Sequence, residues 1–187
     1  MRRVRLFFRE MAQIVGSDGL SAVVLSDDSR QRALTLVFDH SITEQMSLRL
    51  RNVPGHETFL PEVLLCMIDP DVTEQMEMLV YDVDDGQYRV TLLNQQTLTL
   101  RAIRMSDAVL LSIMAPIPLY IDEHLFERQS SPYEAGSQGL YIPINTIDTQ
   151  RLTAELEKAI ANEDYRLASN LHKELESRRS QSVNKMK

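Results

Sequence analysis

Two apolar stripes at helical spacing, set either side of an acidic-aromatic elbow, constrain the C-terminal part of this chain more tightly than any other feature. Leu152, Leu156, Ala159 and Ile160 recur at i, i+4, i+7 and i+8, and Ala168, Leu171 and Leu175 continue such a stripe beyond Glu163-Asp164-Tyr165. Each set falls on one face of an α-helix. Asp148 stands where it can cap the first helix, with Ile147 and Leu152 placed as a hydrophobic staple, and Asp164 can cap the second. Isolated helices this short are marginal in water, and a hairpin of about thirty residues is too small to bury a core of its own. The pattern therefore predicts a helical hairpin over residues 148–180 that needs a surface to cover its stripes, whether another copy, the rest of the chain or a different protein.

The order Leu156, Ala159, Glu163-Asp164-Tyr165, Ala168, Leu171, Glu174-Leu175 resembles the UVR motif, a helical hairpin of excision-repair excinuclease subunits and stress-response adaptor proteins. His172-Lys173 stands where that motif usually carries Arg-Asp. The resemblance implies a protein-interaction device in which Leu152, Leu156, Ile160, Tyr165, Ala168, Leu171 and Leu175 meet a partner.

Upstream, alternation and turn residues predict strands at Val4–Phe8, Leu20–Leu25 and Arg32–Phe38, the last two joined by Ser26-Asp27-Asp28-Ser29-Arg30. Ser41 can cap a helix through Ile42, Met46 and Leu50, ended by Asn52, Pro54 and Gly55. A second helix runs from Leu60 to Ile68, with Pro61 in its first turn, and Asp69-Pro70 closes it. Leu79-Tyr81-Val83, Tyr88-Val90-Leu92 and Leu98-Leu100-Ala102 alternate as three strands, with Asp85-Gly86 a hairpin turn between the first two. Ser106 can cap an apolar helix over Ala108–Ala115, stopped by Pro116 and Pro118, before a short strand Leu119–Ile121 and a helical turn at His124–Phe126. The expectation is an α+β fold: a mixed, largely antiparallel sheet with helices packed on it over residues 1–126. A linker over 127–147, carrying the apolar patch Leu140–Ile144, leads to the hairpin, and 181–187 form a disordered tail.

Charge restricts the partners. Residues 1–126 carry 11 Lys and Arg against 18 Asp and Glu, while residues 127–187 carry 9 of each, so the net charge of −7 belongs to the first part. A phosphate backbone is repelled on average, leaving local basic spots at Arg2, Arg3, Arg5 and Arg9 or at Arg101 with Arg104. Those N-terminal arginines read most simply as solvated residues flanking a first strand. With no basic face interleaved with aromatics and no Trp, a plain nucleic-acid-binding module is the weakest reading. The single cysteine, Cys66, lies in the apolar run Val63–Ile68 and reads as a small core residue. No run approaches the roughly 20 apolar residues that span a bilayer, and Arg9-Glu10 interrupt the basic start before a signal sequence can form. A cytoplasmic protein without a membrane partner is expected.

The succession of hairpin, two helices and three-strand meander, followed by Arg104-Met105-Ser106-Asp107-Ala108-Val109 and Ala115-Pro116-Ile117-Pro118-Leu119-Tyr120-Ile121, resembles the bifunctional nuclease (BFN) domain family. The resemblance covers roughly residues 1–126 and implies an α+β domain acting on DNA and RNA, as a homo-oligomer. Thr43 occupies the family's usual glutamate position, with Glu44 one step on, and Leu60-Pro61-Glu62 stands where the family carries Thr-His-Asp. Phosphodiester hydrolysis needs an activated water and positive charge at the phosphate, commonly from metal ions held by carboxylates. Asp107, Glu44 and Glu62, with Asp39, are the candidate carboxylates for Mg or Mn, Arg104 the cation and His40 a base. His40, His56 and His124 lack metal-ligand spacing and read as surface or loop residues. Asp107 also has a structural explanation, as an acid in a helix first turn. Two functions follow: a nuclease, or a non-enzymatic oligomeric adaptor that recruits a protein through the hairpin.

Overall fold

The computed structural model describes residues 2–14, 20–133 and 149–185. The chain divides into two compact units, Met1–Asp82 with Tyr88–Ile142, and Val83–Gln87 with Pro143–Lys187. The expected cap at Asp148, the staple residue Ile147, the patch Leu140–Ile144 and most of the expected linker lie outside the described residues.

The first unit is built on strands β1 (Arg3–Gln13), β2 (Leu20–Ser26), β3 (Arg32–Asp39), β4 (Met76–Asp84), β5 (Gln87–Asn94), β6 (Thr99–Ile103), β7 (Leu119–Asp122) and β8 (Ser131–Pro132). They form one eight-stranded sheet in the order β6-β5-β4-β7-β1-β2-β3-β8. The pairs β1–β2, β1–β7, β2–β3, β3–β8 and β5–β6 are antiparallel, while β4–β7 is parallel. The expected mixed, largely antiparallel α+β architecture is what the chain adopts. Residues 21–26 of β2 and 33–36 of β3 are buried without alternation, so both faces of the sheet are covered there. Val23, Val24, Leu25, Leu34 and Leu36 supply that centre, joined by Met78, Val80, Leu119 and Ile121.

Helices α1 (His40–Leu50), α2 (Leu60–Met67), α3 (Pro70–Glu74), α4 (Met105–Met114) and α5 (Glu123–Gln129) complete the unit. α1 packs on β2, β3 and α4, inserting Met46 into the core. Four local expectations change. α1 starts one residue before Ser41, with Asp39 at the N-cap position and no side-chain cap. Asp69-Pro70 opens a helix instead of closing one: the Asp69 carboxylate accepts from the Asp71 N–H, and Pro70 sits at the first position of α3, where a missing donor costs nothing. Ser106 lies inside α4 and is buried, because the helix begins at Met105 with Arg104 at its N-cap. Cys66 is exposed, since α2 buries none of its residues. On β4 the buried residues are Glu77, Met78 and Val80, whereas Tyr81 is exposed.

Asp85-Gly86 joins β4 to β5 with both residues at positive φ (48° and 76°), the backbone of a type I′ turn whose twist matches the strands it links. This turn belongs to the second unit, with helices α6 (Thr149–Ala161) and α7 (Tyr165–Lys185). α7 runs five residues past the expected hairpin end at 180. Leu152, Ala159, Ala168, Leu171 and Leu175 form a buried cluster with Leu156 packed against it. The two stripes therefore cover one another. Asp164 caps α7 as its position predicts, accepting from the Leu167 N–H at 3.0 Å. The Asp85 carboxylate accepts from the Thr149 N–H and hydroxyl and from the Arg178 guanidinium, and the Thr149 hydroxyl, first among these contacts, holds it below the usual carboxylate range. Among the described residues no helix is long and apolar enough to cross a membrane.

Leu171→Ala hollows the middle of this small core, with an expected cost of about 2–5 kcal/mol. Amide exchange should quicken across α6 and α7 while β2 and β3 keep their protection; unchanged exchange in both helices would mean that the stripes do not depend on each other.

Candidate functional site

The four expected catalytic side chains separate into three environments. Arg104 and Asp107 stand together where β6 feeds α4. The Arg104 Nε and an Nη donate to the two Asp107 carboxylate oxygens at 2.7 and 3.0 Å. Helix geometry brings this about, because positions i and i+3 are neighbours. The pair is open to solvent, at 77% and 40% side-chain exposure, so the rest of the guanidinium fork is accessible. Hydrogen bonding to Asp107 raises the Arg104 pKa, keeping the cation fully charged. Asp107 also complements the α4 dipole.

Glu62 belongs to a different structure. Its oxygens lie 2.6 and 2.8 Å from Arg49 Nε and an Nη, and the two side chains retain only 13% and 5% exposure. Arg49 Nε and Glu62 Oε1 have only each other. The guanidinium also donates to Gln45 and lies 5.6 Å from the centre of the Phe59 ring. This pair ties α2 to α1 and holds Glu62 away from solvent.

Glu44 is exposed on α1, one residue past Thr43, which is buried. The Thr43 hydroxyl lies 3.0 Å from both the Ser21 hydroxyl and the His40 carbonyl. One step along a helix turns a side chain by about 100°, so the acid at 44 and a residue at 43 face different surroundings. Asp39 and His40 are exposed at the junction of β3 and α1. The His56 ring approaches the Val53 carbonyl and Glu57, and His124 approaches Glu127.

Among the described residues no three His, Cys, Asp or Glu side chains come together as a ligand set. Of the residues expected to meet a partner, Leu152, Ala168, Leu171 and Leu175 are buried inside the hairpin with Leu156 against them, whereas Ile160 and Tyr165 are 55% and 70% exposed. Leu167 joins the exposed set, although its place off the main stripe hid it in the sequence. Arg5 and Arg9, expected among solvated arginines flanking a first strand, share Phe7 between them: the two guanidiniums lie 5.0 and 5.4 Å from the Phe7 ring centre. Their i, i+2, i+4 spacing along a strand was the available signal.

The two carboxylates should respond differently to removal. Glu62→Ala leaves a buried guanidinium unpaired and is expected to cost about 3–5 kcal/mol, whereas Asp107→Ala breaks a solvent-exposed pair and should cost no more than about 1 kcal/mol. Urea unfolding of both variants measures this; equal costs would contradict the assignment of Glu62 to structure.

A family model for the bifunctional nuclease domain matches residues 23–134, from within β2 to just beyond β8. It begins later and ends later than the span of 1–126 expected from sequence, leaving β1 and the α6–α7 pair outside. No curated protein matches the chain. Because the match covers more than half of the residues, the chain belongs to the bifunctional nuclease domain family.

Proposed function

We propose that this protein acts on DNA and RNA phosphodiesters through its first unit and recruits a protein partner through its C-terminal helical hairpin. Membership of the bifunctional nuclease domain family carries the first half of this reading. The exposed Arg104–Asp107 pair supports it chemically. Arg104 has donors beyond the two given to Asp107, and these can bind a phosphate oxygen and stabilise the charge that builds there. Each Asp107 oxygen keeps a second lone pair, which allows the carboxylate to orient an attacking water and accept its proton. Glu44 is reachable from solvent, while Glu62 acts indirectly by fixing α2 on α1. A divalent ion, Mg or Mn, belongs to this reading as a cofactor, without an assigned position on this chain.

The UVR-like hairpin provides the second half. With its inner stripe closed, the elbow offers Ile160, Tyr165 and Leu167 to a partner, an aromatic and aliphatic group of the kind that anchors interfaces. A second reading, an oligomeric adaptor without catalysis, is favoured by one observation: both Asp107 oxygens are engaged by Arg104. Leu60, Val63, Leu64 and Met67, exposed on α2, are compatible with self-association.

Incubating single-stranded DNA and RNA with purified protein, with Mg or Mn and then with chelator, separates the two. The nuclease reading predicts cleavage that falls at least about a hundredfold in Asp107→Ala without loss of folding. Activity retained in that variant contradicts the assigned residue, and absence of cleavage under every condition leaves the adaptor. Ile160→Glu combined with Tyr165→Ser should lower the sedimenting mass or abolish partner binding while helix content stays constant. If mass and partner binding both remain, the elbow is not the interface.

A further inference from the structure

Strand β1 changes partner part-way along its length. Residues Arg3–Leu6 pair with β7, whereas pairing with β2 starts at Phe7 and runs to Gln13. Beyond Leu6 the side of β1 that faced β7 is open, and a cleft of about 330 Å³ lies there, bounded by β1, α4, the end of α1 and the segment leading into β7. Leu50, Ile113 and Ile117 give it an apolar wall, and Arg5 and Arg9, either side of Phe7 in sequence, its charged side.

The charge of this cleft is opposite to that of the protein. The whole chain carries −7, yet two arginines line the cleft and no Asp or Glu does so among the described residues. Several arginines elsewhere are neutralised by an acid: Arg3 by Glu77, Arg49 by Glu62, Arg104 by Asp107. Arg9 instead donates to the Ser26 hydroxyl at 2.6 Å and the Asp27 backbone carbonyl at 3.2 Å, both uncharged acceptors. It is held in position without losing its charge. Arg5 is exposed and makes no ion pair among the described residues, its guanidinium lying over the Phe7 ring. One aromatic ring thus holds two cations, through the attraction of its electron-rich faces for positive charge. Two guanidiniums lining one cleft without an acidic neighbour there suit an anion with several oxygens.

We infer that this cleft binds single-stranded nucleic acid, the guanidiniums of Arg5 and Arg9 taking a phosphodiester and the Leu50, Ile113 and Ile117 wall taking its base. The inference rests on the nucleic-acid reading above and deepens it, since it supplies a binding site separate from Arg104 and Asp107. An extended duplex would bring a long row of phosphates against an acidic molecule, while a single strand can turn one base inward and offer one phosphate to the pair. The part of the site on β1 lies outside the residues matched by the family model.

Fluorescence anisotropy of a labelled 12-mer of deoxythymidine with the full-length protein, in chelator to prevent cleavage, tests this directly. Arg5→Ala should weaken binding about tenfold and reduce the slope of log affinity against log salt by about 0.7, as expected for one lost phosphate contact on a single strand. Arg5→Lys should fall between the two, keeping charge but losing the fork, and Phe7→Leu should weaken binding by freeing both guanidiniums. Arg101→Ala, an exposed arginine on β6, should leave affinity unchanged. The inference is overturned if wild type does not bind, if Arg5→Ala binds as wild type does, or if polyglutamate of equal charge competes as well as the oligonucleotide. Binding lost in Arg5→Ala while wild type never cleaves sustains the cleft and sinks the nuclease reading. Cleavage by wild type with unaltered Arg5→Ala affinity does the reverse.

Discussion

Strand β1 has to belong to two ladders at once, and the first unit depends on how it does so. Its first residues complete the β6-β5-β4-β7 side of the sheet through pairing with β7, and its later residues begin the β2-β3-β8 side. Between Phe8 and Glu10 the β1–β2 register shifts, leaving Arg9 as the extra residue. Such a bulge bends and twists a strand, which suits one that changes neighbours. The buried centre formed by Val23, Leu25, Leu34 and Leu36 and that formed by Met78, Val80 and Ile121 are thereby joined in one sheet. The cleft beside Phe7 follows from the same geometry, for a strand that outruns its neighbour leaves an open side.

The arginines record two uses of one side chain. Arg49 is buried against Glu62 between α1 and α2, where removing either partner would strand a charge out of water. Arg3 reaches from β1 to the buried Glu77 on β4, which also accepts from the Gln95 amide. These pairs fix elements to one another. Arg5, Arg9 and Arg104 instead keep donors available at the surface, each positioned by a different device: a ring face, a pair of neutral oxygens, and a carboxylate one helical turn away. In a chain of net negative charge, these are local concentrations of cations.

Much of this arrangement could be read from the residues. Strands β2 and β3 followed from apolar runs around a polar turn, Asp85-Gly86 from the demand for two positive φ values, and the cap on α7 from Asp164. The misread positions share a cause, in that a local signal had two meanings. Asp69-Pro70 can end one helix or start the next, and here it starts α3. The strand expected at Val4–Phe8 runs on to Gln13, carried past Phe8 by a bulge. Ser106 looked like a cap, but the helix began a residue earlier. Long-range relations were beyond reach: nothing local links Arg49 to Glu62, thirteen residues apart on separate helices. The hairpin stripes were legible, yet their spacing could not say whether they faced a partner or each other. The Ser106-Asp107-Ala108 segment placed the chain in its family, while the exposure of the Arg104–Asp107 pair required the fold.

Strand β1 unites both sides of the sheet. Hydrogen exchange of the intact protein, read at individual amides, tests this most directly. Amides of β1 that bond to β7 or to β2 should exchange as slowly as those of β2 and β7 and open together with them. Rapid exchange throughout β1, with β2–β3 and β4–β7 still protected, would contradict it, because the two ladders would then hold without the strand assigned to join them.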